Sequence, residues 1–277
     1  DVIAEEVMKK KMAPGMQILV ARAGKVVYQK SFGYHTNDTL KKVKNSDLYD
    51  VASLTKILAT LPMVMKAEGE NRFRIATKLK NLLPELKNTN KDTLTLKEIL
   101  SHNGRLKAWI PFYKQTQDSI TGENLSSFYK PIKTRRFGVK VAENLYIQTA
   151  YKDSILDRIK SADQREKEGY KYSDLGYYIL KKTLEREYKA PLNELTQQYF
   201  YRSLGAHRTS YLPREKFELN EIVPTENDAY YRNQLLHGHV HDMGAAMLGG
   251  VGGHAGLFSN ANDVAKIMQM YLQKGFY

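Results

Sequence analysis

Tyr49-Asp50-Val51-Ala52-Ser53-Leu54-Thr55-Lys56 places a serine three residues ahead of a lysine, at the head of an apolar run with helical spacing: Ile57, Leu58, Leu61, Val64 and Met65. Positions i and i+3 share a helix face, so a helix beginning at Ser53 brings the Lys56 ammonium within reach of the Ser53 hydroxyl. At such a start, unpaired backbone N–H groups and the positive end of the helix dipole favour an alkoxide-like nucleophile and a developing oxyanion. Two readings fit the serine: an acyl-transfer nucleophile or a plain helix N-cap. A second match to the spacing, Ser127-Phe128-Tyr129-Lys130, lacks this setting, because Pro131 disfavours helix at the residue before it.

The chain has 277 residues, an apolar fraction ordinary for a globular protein, and no cysteine. Disulfides, thiolate nucleophiles and Cys-ligated zinc or iron–sulfur sites are thereby excluded, and any nucleophile is an oxygen. A cysteine-free chain is also compatible with an oxidising compartment such as a periplasm. No apolar run approaches a membrane span, and the N-terminus lacks a signal-peptide layout. The net charge of +13 raises nucleic acid as a partner, but the lysines are scattered and no nucleic-acid motif accompanies them, so a solvated basic surface is the reading.

Residues 2 to 12 read as a helix ended by Pro14-Gly15, and two strands, 16–22 and 25–34, flank Ala23-Gly24 as a hairpin. Beyond the serine the chain turns mainly helical: 94–102, 174–188, 191–201, and 262–274 ended by Gly275. Strands followed by helices predict an α+β fold. One hairpin is too small a sheet, so further strands lie in the middle region or outside this sequence.

A serine–lysine pair needs a group that carries the proton to the leaving atom, and a tyrosine beside an ammonium can do so. Tyr172-Ser173-Asp174 opens an apolar helix as Ser53 does. Tyr151-Lys152-Asp153 and Tyr231-Arg232-Asn233 share the spacing, and packing is an alternative role for any one of nineteen tyrosines.

Four segments appear in order: Val51 to Lys56, Leu96-Lys97-Glu98-Ile99-Leu100-Ser101-His102-Asn103-Gly104-Arg105-Leu106, Tyr170 to Tyr178, and Gly252 to Ala265. The series spans nearly the whole chain. It resembles the serine β-lactamase-like family of the class C and penicillin-binding type (peptidase S12-like), which also contains esterases and D-amino-acid peptidases. Within it, the sequence is most similar to β-lactamase-type domains of Bacteroidetes, some of them joined to a glycoside hydrolase family 3 domain.

The resemblance implies an antiparallel sheet flanked by helices plus a mostly helical lobe. It implies a single domain over 1–277, with residues 1–50 as helix and hairpin and 51–277 as the mainly helical part. Ser53 would be the acylated nucleophile, Lys56 its proton partner, and Tyr172 the base that also protonates the leaving group. The Ser53 N–H would form one side of the oxyanion hole. Asp174 stands where the family usually has asparagine, which adds negative charge near Lys56, removes two donors, and makes a typical β-lactam substrate less expected. His254, Ala255 and Gly256 match a loop bordering the active site, with His254 either at its rim or structural.

A small acyl substrate or cell-wall peptide is the implied partner, in a periplasmic or otherwise extracytoplasmic location, with no cofactor. The family's third element, Lys/His-Thr/Ser-Gly on a strand after the last helix, has no counterpart before Tyr277. The expectation is a truncated copy of a longer protein, lacking C-terminal sheet strands and impaired by itself. Two rivals stand beside the serine enzyme. One is a non-catalytic module of the same fold that binds cell-wall peptide or packs on a partner domain. The other is a metal-dependent hydrolase using His237, His239 and His241, since alternate residues of a strand share a face.

Overall fold

In the computed structural model, which describes residues 1–276, the chain opens on helix α1 (Val2–Lys9) and enters the hairpin of β1 (Gly15–Arg22) and β2 (Lys25–Gly33). Ala23 and Gly24 have φ of 50° and 74°, the positive pair that lets a two-residue turn match the strands' twist. Helix α1 stops short of the expected residue 12, since Lys11 is already left-handed at φ 52°.

Strand β3 (Tyr49–Asp50) leads into a 3-10 turn (Ala52–Leu54), a π-helical turn (Lys56–Thr60) and α2 (Leu61–Gly69). The helix expected from Ser53 therefore begins as two irregular turns. A π turn breaks the regular ladder, and two tyrosine hydroxyls donate to its carbonyls: Tyr201 to Leu58 at 3.0 Å and Tyr271 to Ile57 at 2.6 Å.

Then come α3 (Leu79–Leu82), α4 (Leu96–Leu100), β4 (Tyr129–Lys130), β5 (Val139–Ala142), β6 (Leu145–Ile147), α5 (Tyr151–Ser161) and α6 (Leu175–Tyr188). The chain continues through α7 (Leu192–Thr196), β7 (Ser210–Tyr211), β8 (Glu226–Asp228), β9 (Gln234–Leu236), α8 (Met243–Met247), β10 (Leu257–Ser259) and α9 (Ala261–Leu272). Helix α4 begins at a capping box between Thr95 and Glu98, and α9 at Asn260, whose side chain accepts from Asp263 N–H. The helix expected over 191–201 ends α7 at Thr196 and finishes as a second π turn, Gln197–Tyr201.

The architecture is α+β, with antiparallel pairs β1–β2 and β8–β9 and triples β3–β10–β7 and β4–β6–β5. Further strands thus do lie in the middle region. The decoy serine at 127 precedes β4, not a helix, and Lys130 is exposed. One buried cluster joins Leu58, Met63 and Val64 to Ile99, Leu175, Ile179, Leu195 and Ile267, so four other helices pack around the segment after the serine. Each such side chain contributes about 1.5–3 kcal/mol on burial, which makes that segment a rigid base.

Candidate active site

Ser53 lies at the tip of a sharp strand-to-helix turn. Ala52 before it has φ 45°, a left-handed value that costs a non-glycine residue energy unless its surroundings hold it. Asp50 does the holding: its carboxylate accepts from Ala52 N–H at 2.8 Å and from His241 N–H at 2.7 Å. Burial pushes the Asp50 carboxyl up, against the opposing pull of these two bonds. Below the turn, β10 braces β3 through Phe258↔Asp50, and Val51 N–H donates to Leu257 O at 3.0 Å.

Lys56 is 3% exposed, and its ammonium meets three acceptors. Nζ donates to Ser53 Oγ at 2.9 Å and to the His254 carbonyl at 3.3 Å. It also pairs with Asp174 Oδ1 at 2.6 Å, an ionic contact whose alignment falls outside hydrogen-bond geometry. Two of its three N–H donors are thus in hydrogen bonds, and the Asp174 carboxylate balances its charge. Two tyrosine rings flank it, Tyr172 at 4.8 Å and Tyr177 at 5.4 Å from Nζ to centroid. They differ in access: Tyr172 is 41% exposed, whereas Tyr177 is 5% exposed, and burial, then the neighbouring Tyr172, pushes its hydroxyl up to about 12.

Ser53, Lys56, Tyr172 and Asp174, separated by up to 121 positions in the chain, are thus assembled in one place. Asp174 stands at the N-cap of α6, where its own N–H donates to Ala108 O at 2.8 Å. His254 is not at the rim. It is 1% exposed, stacked on Tyr178 at 4.2 Å, and its Nε2 bonds Asp242 Oδ1 at 2.7 Å. What it offers the site is its carbonyl. Beside it, Gly253 O accepts from Thr60 Oγ1 at 2.7 Å. A Cβ on Gly253 would lie 2.2 Å from Tyr177 O, so only glycine fits there. Ala255 and Gly256 close the loop: Ala255 O accepts from Gly252 N–H at 3.1 Å, and Gly256 has φ 111°.

The histidine cluster does not form a metal site among the described residues. The stretch lies beyond β9, and Gly238 at φ 70° breaks the alternation a strand would supply. Each ring goes elsewhere: His237 to Ile222 O at 2.7 Å, His239 to Arg214 at 2.8 Å, His241 to Glu226 at 2.9 Å. Asp50, which holds the turn before Ser53, escaped sequence reasoning. The signal for Asp50 was its position two residues before Ala52, the spacing of an Asx turn.

The Beta-lactamase family model matches residues 2–275. The chain belongs to the beta-lactamase family. This beta-lactamase-family chain is 27% identical over 289 aligned positions to an N-acetylmuramyl-L-alanine amidase of Bacillus subtilis, covering 95% of the chain and 60% of that protein. It is 31% identical to a candidate D-alanyl-D-alanine carboxypeptidase of Escherichia coli O157:H7, over 95% of the chain and 61% of that protein. The octameric penicillin-binding protein homologue from Pyrococcus abyssi shares the fold with a TM-score of 0.70 at 20% identity, over 99% of this chain and 56% of that one. The beta-lactamase-family chain therefore spans about 60% of the length of the curated relatives it matches. No helix among the described residues is long and apolar enough to cross a membrane.

The loop behind the site carries a pH dependence of its own. Burial raises the Asp242 carboxyl, but the His254 charge and bond and the Ala245 N–H outweigh it and hold the group well below the usual carboxylate range. Asp228 is likewise held low: burial raises it, and the Arg232 bond at 2.6 Å with backbone N–H groups prevails. A depressed folded pKa stabilises the fold above the unfolded value of about 4, and that contribution is lost as pH falls through the folded pKa. The melting temperature is accordingly expected to drop progressively below about pH 4, with a shallower drop in Asp242→Asn, as thermal scans across pH would record.

Proposed function

We propose that this protein is a serine acyl-transfer hydrolase that works through an acyl-enzyme on Ser53. The observation that carries the reading is the 2.9 Å contact between Lys56 Nζ and Ser53 Oγ, made by a lysine that is 3% exposed and paired with Asp174. The Ser53 oxygen attacks the acyl carbon as its proton passes to Tyr172 Oη, which enters this step as the phenolate beside the Lys56 ammonium, and the charge that develops on the carbonyl oxygen is met by the Ser53 N–H. Tyr172 then hands a proton to the departing oxygen or nitrogen, and water releases the acyl group in a second step of the same kind.

The substrates that fit this reading are small esters and the D-alanyl or muramyl peptides of cell wall, the chemistry in the names of two relatives, which in turn supports work outside the cytoplasm. A cavity of about 100 Å³, lined by Trp109, Tyr113, Asp174, Tyr178 and Asp242, gives a small acyl substituent a place beside Asp174, the ionic partner of Lys56. At Asp174 an amide carbonyl of a β-lactam or peptide meets an acceptor where an asparagine would donate. Esters are therefore expected to outpace β-lactams, and Asp174→Asn to narrow that ratio by about tenfold.

The test is a kinetic panel on the complete natural chain carrying these residues: a chromogenic short-chain ester, a chromogenic cephalosporin and a D-alanyl-D-alanine peptide. Turnover of any of them, lost in Ser53→Ala, supports the reading. A folded protein that turns over none would sink it.

A further inference from the structure

His102 closes the turn after α4 with φ 57°, and it holds the Lys171–Ser173 segment around Tyr172 in three ways. Its carbonyl accepts from Lys171 N–H at 3.0 Å, and its Nδ1 accepts from Ser173 N–H at 3.1 Å. These two peptide N–H groups stand on either side of Tyr172. The imidazole also lies against the Tyr172 ring, centroids 4.6 Å apart at 37°. Among the described residues the Tyr172 hydroxyl itself bonds nothing, and the side chain is 41% exposed, so little else fixes its plane apart from Lys56. Ser173 continues the clamp by donating its hydroxyl to Lys107 O at 2.6 Å.

We propose that His102 is the positioning residue for Tyr172, holding its backbone and ring plane as a neutral imidazole whose Nδ1 must stay an acceptor. The inference rests on the reading of Tyr172 as the proton-transfer group. A protonated imidazole carries N–H on both nitrogens, so Nδ1–H would then face Ser173 N–H, donor against donor. The surroundings oppose that state. The rings of Tyr170, Tyr172 and Tyr177 enclose the imidazole, and the Lys56 ammonium is near, with Asp174 acting the other way. Glu98 and Lys171 line the crevice beside it, and the Glu98 carboxylate is taken by Thr95 N–H at 2.7 Å. Burial first, then Lys56, pushes the His102 pKa below its ordinary value, so the acceptor form prevails at neutral pH. Protonation, and with it loss of the clamp, is confined to acid.

The experiment measures kcat and KM for an ester against pH in the wild type, His102→Asn and His102→Ala, with thermal unfolding to confirm folding. Asparagine tolerates left-handed backbone and keeps an acceptor near the Nδ1 position, but it does not titrate. The expected result is an acid limb below about pH 6.5 in the wild type that moves to lower pH in His102→Asn, whose neutral-pH kcat stays within about threefold. His102→Ala is expected to lose about tenfold or more in kcat, with KM within about twofold, because a misplaced proton-transfer group costs rate before binding. Equal losses in both variants with an unmoved acid limb, or a His102→Ala kcat near wild type, would overturn the inference and leave the hydrolase reading standing. A wild type without hydrolytic activity would overturn both.

Discussion

Lys56→Met is expected to lower kcat/KM for acyl substrates on the order of 10⁴-fold while the protein stays folded. Methionine matches the lysine stem in length and fills the same buried space, so packing around Leu58 and Val64 is kept. What goes is the only ammonium in contact with Ser53 Oγ among the described residues. The loss also leaves Asp174 without its 2.6 Å partner. Asp174 retains some exposure, 24% of its side chain, so water offsets part of that loss and the cost is on the order of 1–3 kcal/mol. The double variant Lys56→Met with Asp174→Asn separates the two effects: urea unfolding is expected to recover most of the stability, and ester hydrolysis none of the rate. A single variant that keeps more than about a tenth of the activity would remove lysine from the chemistry.

Tyr172→Phe is expected to lower kcat by about 10²–10⁴-fold with little change in melting temperature. The ring contacts with His102 at 4.6 Å and Lys56 at 4.8 Å survive, since neither involves the hydroxyl. Tyr177→Phe supplies the comparison. Its hydroxyl is buried and pushed up to about 12, so it stays protonated in the working range and its removal should leave kcat within about threefold. Steady-state kinetics on the two variants side by side decides which tyrosine carries the proton; the opposite order would assign Tyr177.

The pieces of this site differ in how far the sequence alone discloses them. Ser53 and Lys56 are neighbours in the chain, and the turn that joins them is local, so the spacing together with the apolar helical run after it discloses their contact, whereas Ser127 and Lys130 share the spacing alone. The hairpin at Ala23-Gly24 and the start of α6 after Asp174 are local in the same sense. The His254 carbonyl reaches Lys56 across 198 positions, and no periodicity encodes that. His254 itself was open between rim and structural roles because burial depends on Tyr178 and Asp242, which are distant in sequence. Strand β10 was hidden for a different reason: it is only Leu257–Ser259, and its pairing with β3 and β7 is with segments of two residues each. The π turns at Lys56–Thr60 and Gln197–Tyr201 read as ordinary helix, because what sustains the first is a pair of tyrosine hydroxyls from elsewhere in the chain.

The most direct measurement is peptide mapping by mass spectrometry after brief exposure of the complete natural chain to a fluorophosphonate, with Lys56→Met and Tyr172→Phe treated in parallel. The account predicts one adduct in the wild type, on the peptide and residue Ser53, formed far more slowly in Lys56→Met. An active wild type labelled on another serine, or labelled on Ser53 at the same rate in Lys56→Met, would contradict it.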